Sequence, residues 1–299
     1  MRTTIHNREK SGYNPTSDSI RMTMSRQTPR ERFAAIAHLA ERQIDLGEAA
    51  LVIAAEEQPG LNPDPWLDRL DDLGERLRPR LRRARNDLDR LAALLEMLFG
   101  EEGLRGNADD YYDPRNSYLN EVLDRRLGIP ITLAIVCLEV GRRVGVPLEG
   151  VGFPGHFLLR LGNHPHVLVD PFDAGRLMTQ RDCEELLARL TNGEMQFNPR
   201  LLRTAGPRQI IHRILNNLRG VYLSRGEHDR LLPVLDRMLL LDPEDPAPLR
   251  ERGALHIRCG DPSLGVQDLE TYLEVDPAAH DQDEVGVLLV EGRRLTLVN

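Results

Sequence analysis

The chain has 299 residues, of which 40% are hydrophobic and 29% charged, enough for two domains with ordinary hydrophobic cores. A net charge of −8 disfavours binding to nucleic acid or to an anionic membrane, and a content of only 4% aromatic residues argues against base-stacking platforms. Three widely spaced cysteines form no CxxC pair, and no apolar run is long enough to span a bilayer. Because an apolar signal core is also missing at the N-terminus, we expect a cytoplasmic protein. We also predict that the protein has no cofactor.

The N-terminal third divides into a tail and a helical region. Residues 1–30 combine Arg and Lys with many Ser and Thr and little apolar clustering, which predicts a disordered basic tail. This tail is the one segment with a composition suited to nucleic acid, and Met22 or Met24 is an alternative start. Residues 31–105 are predicted to be helical scaffold. One helix there has an apolar face formed by Trp66, Leu67, Leu70, Leu73 and Leu77.

Residues 106–206 change character and are predicted to form a compact core with both helices and strands. Pro130 suits the first turn of a buried helix because its missing N–H costs nothing there, and Gly145 suits the end of that helix. Three short runs rich in Val, Leu and Phe then predict a small antiparallel meander. The runs lie at about residues 148–153, 156–161 and 166–170.

His156 and Asp170 flank the second hairpin of this meander. If its turn centres on residues 163–164, His156 lies opposite Pro171 and diagonally beside Asp170. Diagonal neighbours are roughly 7 Å apart, so a hydrogen bond is within reach, although a register error of one residue would prevent it. The pair either ties two strands together or belongs to a functional cleft.

A metal site at this hairpin would need His164 and His166 to join His156 and Asp170, because imidazole and carboxylate groups suit zinc. His164 lies at the turn, roughly 20 Å from the far end of the hairpin by strand rise. We therefore predict no metal site.

From residue 207 the sequence repeats itself with an offset of 34 residues. Leu-Asp-Pro at 241–243 recurs as Val-Asp-Pro at 275–277, and Gly226 recurs as Gly260. Paired helices of this period are typical of tetratricopeptide (TPR) repeats. Residues 207–299 are therefore predicted to form a TPR-like module whose concave face binds a protein or peptide partner. The residues expected to face its groove are Asn216, Asn217, Arg219, Tyr222, Arg250 and His256.

The middle of the chain resembles the transglutaminase-like, papain-related fold, and most closely the family named after the bacterial SirB1 protein. The residues that carry the resemblance are "GIPITLAIVCLEVGRRVGVPLEGVGFPGHFLLRL" and "HVLVDPF", followed by the TPR-like units. The resemblance covers roughly residues 40–280. It implies a mostly helical α+β fold with a small antiparallel sheet, and it implies the fold rather than an activity.

In active transglutaminase-like enzymes, a cysteine at the start of the central helix is activated by a histidine that an aspartate orients. The resemblance assigns the histidine and aspartate positions to His156 and Asp170. The cysteine would fall near Pro130 or Ile131, where this sequence has no thiol. We therefore expect a retained dyad without its nucleophile, and hence a non-catalytic protein.

Three other side chains are alternative nucleophiles. Cys137 lies roughly 10 Å along the helix from Pro130 among apolar residues, so we expect a core residue with a raised thiol pKa. Thr132 lies nearer the helix start but has a poorly nucleophilic hydroxyl. Cys183 lies in the first turn of another predicted helix, an environment that would lower its pKa. With any of these, the chain would be an amidohydrolase or acyl transferase with a non-standard nucleophile.

Four residues near the start of the central helix are candidates for ligand binding. Asn116 either caps the short helix that follows it or lines the cleft. Tyr112, with its neighbour Tyr111, either gates the cleft or covers the floor of an acidic loop. Pro130 and Thr132 complete this set because they lie at the helix start itself.

Overall fold

The computed structural model describes residues 27–297, so most of the predicted basic tail lies outside the described residues. This part contains twelve α-helices and a five-stranded antiparallel sheet, which confirms the predicted mostly helical α+β fold. The helices are α1 (Pro29–Ala37), α2 (Leu46–Glu57), α3 (Asp64–Leu81), α4 (Asp87–Leu95), α5 (Leu119–Arg125), α6 (Pro130–Val144), α7 (Gln180–Leu190), α8 (Pro207–Arg225), α9 (His228–Leu241), α10 (Pro246–Cys259), α11 (Pro262–Val275) and α12 (Gln282–Thr296). The strands are β1 (Arg105–Gly106), β2 (Leu127–Gly128), β3 (Leu148–Val151), β4 (Leu158–Leu161), β5 (His164–Asp170), β6 (Arg176–Met178) and β7 (Thr204–Ala205).

Helix α6 is the central element of the main hydrophobic core. It begins at Pro130 and ends at Gly145 in the left-handed conformation with φ of 72°, as predicted, and most of its side chains are buried. The predicted apolar face of α3 packs into the same core. Among the helices within residues 27–297, none combines the length and apolarity needed to cross a membrane.

The strands of the main sheet lie in the order β6-β5-β4-β3-β7, with every neighbouring pair antiparallel. Strands β3 to β5 form the predicted meander, although β3 and β4 are shorter and β5 longer than predicted. Leu161 pairs with His164, so the turn centres on residues 162–163 and the predicted centre at 163–164 was wrong. Beyond an irregularity between Arg160 and Leu161, Leu159 pairs with Val169, one residue away from the predicted register. The short strands β1, β2, β6 and β7 were not predicted, because two or three residues show no readable alternation.

Helices α8 to α11 form two helical pairs, and α12 packs against α11. Helices α8 and α10 end at Gly226 and Gly260, both left-handed. Helices α9 and α11 end immediately before Asp242 and Asp276. These four positions confirm the 34-residue repeat that the sequence predicts.

A buried polar cluster joins the N-terminal helices to the first repeat. Arg237 of α9 is fully buried and donates hydrogen bonds to Glu56 and Glu57 at the end of α2. The hydroxyl groups of Tyr118 and Tyr222 are hydrogen-bonded to each other, which ties α8 to the segment before α5. The side chains of α8 and α9 therefore belong to the same hydrophobic core as the N-terminal helices and α6.

Candidate functional site

His156 and Asp170 are both buried, and His156 Nε2 lies 2.9 Å from Asp170 Oδ1. His156 lies in the turn before β4 rather than in the strand, so this bond does not depend on the ladder register that the sequence analysis misjudged. Asp170 Oδ1 also accepts the backbone N–H groups of Phe172 at 2.9 Å and Asp173 at 3.3 Å. With Nε2 bound to the fixed carboxylate, Nδ1 is the ring nitrogen that remains for another group.

The loop that carries His156 is held in place from α8. Arg213 Nη2 donates to the carbonyl oxygens of Phe153 at 2.9 Å and His156 at 2.6 Å. The guanidinium carbon also lies 5.8 Å from the centre of the Phe157 ring. Burial lowers the pKa of Arg213. Arg213 was not predicted as a site residue, because only the fold brings α8 against this loop.

Two cavities meet at His156. The first, which we call the α8 cavity, has a volume of about 480 Å³ and is lined by Tyr111, Pro130, Ile131, Gly155, His156, Phe157, Gln209, His212, Arg213, Asn216 and Asn217. The second, the α7 cavity, has a volume of about 1050 Å³, and its walls include Tyr112, Asp170, Phe172, Asp173, Arg176, Asp182, Glu185 and Arg189. Because Tyr111, Gly155 and His156 line both cavities, the two form one cleft.

The predicted place of the missing nucleophile lies in this cleft. Pro130 and Ile131 line the α8 cavity together with His156, so the start of α6 faces the imidazole. Neither residue carries a thiol, and none of the three cysteines, all within the described residues, lines either cavity. His156 therefore shares the α8 cavity with a helix start whose two lining residues, Pro130 and Ile131, are apolar.

The alternative nucleophiles are all buried. Cys137 has no exposed surface, and burial raises the pKa of its thiol, as expected for a core residue. Burial and, after it, the nearby Asp182 carboxylate raise the pKa of Cys183 to about 11, so the expectation of a lowered pKa was wrong. The Thr132 hydroxyl is also buried and donates to the Asn116 carbonyl at 2.7 Å.

The candidate ligand-binding residues separate into two groups. Pro130 lines the α8 cavity, and the exposed Tyr112 lines the α7 cavity. Asn116 and Thr132 are fully buried and line neither. Asn116 does not cap α5, whose N-cap is Tyr118 without a side-chain bond, so that prediction was wrong.

Asn116 instead braces the loop before α5. Its amide nitrogen donates to the carbonyl oxygens of Asp110 at 2.8 Å and Tyr111 at 3.2 Å. Its amide oxygen accepts a hydrogen bond of 3.0 Å from Asn107. The bond to Tyr111 holds the backbone of a residue that lines both cavities, so Asn116 supports the cleft without lining it.

Four of the six residues predicted to face the groove illustrate how different their environments are. Tyr222 is fully buried, so its assignment to an exposed groove was wrong. Arg250 is paired with Asp281 and with Glu284 of α12, and His256 is half-buried. Asn217 lines the α8 cavity beside His156. The helical pattern of α8 in the sequence does not reveal which face of the helix is buried. The buried face depends on how the repeats pack against the rest of the protein.

No metal-binding cluster accompanies the pair. Within residues 27–297, no group of three or more His, Cys, Asp or Glu side chains lies close enough to hold a metal ion. His164 Nε2 instead lies 3.9 Å from Asp87 Oδ2, at the turn of the hairpin and away from His156.

The fold and the site together define the class of protein, a transglutaminase-like domain followed by TPR repeats. Residues 64–216 match the family model described as "Transglutaminase-like superfamily", and residues 218–289 match the model described as "Tetratricopeptide repeat".

Comparison with curated proteins identifies the family. The chain is 39% identical over 260 residues to a UPF0162 protein of Xylella fastidiosa, covering 86% of this chain and 92% of that protein. It is 35% identical to the UPF0162 protein PA3419 of Pseudomonas aeruginosa, covering 87% of this chain and 95% of that protein. The chain therefore belongs to the UPF0162 family. The name SirB1 stays a prediction.

A more distant relative is the mouse F-box only protein 21. The identity is 30% over 182 residues, which are 57% of this chain and 28% of that protein.

Proposed function

We propose that this chain is a non-catalytic transglutaminase-like protein that binds a protein or peptide partner. The partner would lie in the cleft at His156 and extend along α8 towards the repeats. The observation that carries the proposal is the hydrogen-bonded His156–Asp170 pair in an open cleft whose facing helix start, Pro130 and Ile131, has no nucleophile.

The size and position of the cleft favour a polypeptide ligand. Cavities for small molecules usually measure roughly 300–1000 Å³, and here two cavities join at His156. Helix α8 is both the wall of the cleft and the first helix of the repeats, a kind of module that presents extended binding surfaces. An extended peptide could therefore contact both parts of the protein at once.

The alternative is a cysteine-type amidohydrolase or acyl transferase with a non-standard nucleophile. Its candidates have buried thiols with raised pKa values, and neither Cys137 nor Cys183 lines the cleft. A raised pKa keeps these thiols protonated at neutral pH, and the thiolate is the reactive form of cysteine. The environment of both thiols therefore supports a binding role rather than catalysis.

Three free cysteines also support our proposal that the protein works in the reducing cytoplasm.

Selection of peptides from a random library against the full chain tests the proposal. Asn216 is exposed at the rim of the α8 cavity, so Asn216→Trp would fill the cavity mouth. Arg85→Trp is the matched control, because the Arg85 side chain is 89% exposed and lies outside the cleft. We expect selected peptides to bind Asn216→Trp at least about tenfold more weakly and the control within about twofold. Equal binding to both variants would exclude the cleft as the binding site.

A further inference from the structure

Helix α8 presents a stripe of polar side chains to the cavity beside His156. The stripe follows the i, i+3, i+4, i+7, i+8 spacing of one helical face. Its members are Gln209, His212, Arg213, Asn216 and Asn217. Arg213 is the member with a permanent positive charge, and among residues 27–297 no carboxylate lines this cavity.

Arg213 differs from the other arginines of α8 because it lacks an acidic partner in the described part of the chain. Arg219 is paired with Glu251, and Arg225 lies 3.7 Å from Glu227. Arg213 uses Nη2 for two backbone carbonyl oxygens, so Nε and Nη1 remain for a ligand. A half-buried guanidinium without an anion is unfavourable, as its lowered pKa indicates, so an anion in the cavity would be stabilised.

The two halves of the cleft have opposite charge. The α7 cavity is lined by four carboxylates but by only two arginines. The carboxylates are those of Asp170, Asp173, Asp182 and Glu185, and the arginines are Arg176 and Arg189. A negatively charged group is therefore favoured on the Arg213 side of His156 and disfavoured on the other side.

We propose that the α8 cavity is a carboxylate-binding subsite centred on Arg213. It would receive either the α-carboxylate or an acidic side chain of the bound peptide, with the guanidinium as the charged donor and the Asn216 and Asn217 amides as neutral donors. This inference rests on the proposed peptide-binding function and adds the chemistry and the polarity of the ligand. Because the net charge of the chain is −8, long-range attraction would not produce a preference for acidic peptides.

Three short peptides test the subsite on the full chain by isothermal titration calorimetry. One is acetyl-Ala-Ala-Ala with a free α-carboxylate, the second is acetyl-Ala-Ala-Glu-amide, and the third is the neutral acetyl-Ala-Ala-Gln-amide. The first two distinguish the two sources of a carboxylate. A second readout is the NMR signal of the His156 ring, which should move when a probe occupies the cavity that this ring lines.

We expect at least one acidic peptide to bind about tenfold or more tightly than the neutral one, as a charge-assisted hydrogen bond implies. Arg213→Gln should remove this preference, and Arg213→Lys should keep part of it. Arg208→Gln is the matched control, because it removes the same charge from the same helix, lies outside the cavity lining and contacts Glu41 rather than a residue of the subsite. It should leave the preference unchanged.

Two results would overturn the subsite and separate it from the proposed function. Equal binding of acidic and neutral peptides would refute the carboxylate preference while leaving peptide binding intact. This comparison uses the unaltered protein, so it does not depend on how Arg213→Gln folds. If no probe binds at millimolar concentration, the subsite is also refuted, and the library selection with Asn216→Trp decides the proposed function independently.

Discussion

Replacing Ile131 with cysteine would place a thiol at one of the two positions, Pro130 and Ile131, near which the resemblance predicts the nucleophile of a transglutaminase-like enzyme. Ile131 is the second residue of α6 and lines the α8 cavity together with His156. The free N–H groups at a helix start and a neighbouring imidazole stabilise a thiolate, and such thiols have pKa values of about 3.5–7.5. We therefore expect Ile131→Cys to introduce a reactive thiol, in contrast to Cys137 and Cys183, whose thiols are buried and have raised pKa values.

Cys183, whose pKa is raised to about 11, is the reference for the expected labelling rate at position 131. At about pH 7.5, a thiol with a pKa of about 7 is roughly 2000-fold more ionised than Cys183. Its lower basicity reduces the intrinsic reactivity of the thiolate roughly 60-fold. At equal access, the thiol at position 131 should therefore react about 30-fold faster than Cys183, since both positions are buried, with Ile131 1% and Cys183 0% exposed.

The assay is timed alkylation with iodoacetamide, followed by peptide mass spectrometry so that each position is read separately. Cys137 is the internal control, because it lies on the same helix six residues further on and is fully buried. Adding His156→Ala to Ile131→Cys should slow labelling at position 131 and leave Cys137 unchanged. Labelling at position 131 that is as slow as at Cys137, or that does not respond to His156→Ala, would refute the geometry inferred for the cleft.

Three further predictions concern the buried polar groups. Asp170→Ala leaves His156 and two backbone N–H groups without their acceptor, so we expect a loss of about 2–4 kcal/mol in urea unfolding, and an unchanged midpoint would contradict it. Glu56→Ala removes one of two carboxylates from fully buried Arg237 and should cost about 3 kcal/mol in the same assay; a loss below about 1 kcal/mol would contradict it. Burial raises the pKa of Glu57, so the folded state binds this proton more tightly than the unfolded state does. The stability of the wild type relative to Glu57→Gln should therefore fall as pH rises from the ordinary glutamate pKa of 4.5 through the raised pKa of Glu57, and a difference independent of pH would contradict this.

The parts of the fold that could be predicted depend on local signals. Pro130 and Gly145 mark the ends of α6 because their backbone preferences are independent of the rest of the chain. The repeated Asp-Pro and Gly positions of the TPR module depend equally on short-range structure. The register of β4 and β5 was misjudged for two reasons: the turn lies at residues 162–163, and an irregularity between Arg160 and Leu161 then shifts the ladder. Neither feature leaves a trace in the apolar pattern.

Within the site, only the residues that belong to a recognisable sequence motif could be predicted. His156 and Asp170 form their bond despite the register error, because His156 lies in a turn and Asp170 at a strand end. Arg213 and Asn217 belong to the same cleft but lie in the repeat segment, more than 40 residues further along the chain. In the sequence, Asn217 and the buried Tyr222 are equally plausible groove residues, since both fit a helical face. Only the docking of α8 against the His156 loop distinguishes them, and the same docking makes the first repeat helix a wall of the cleft.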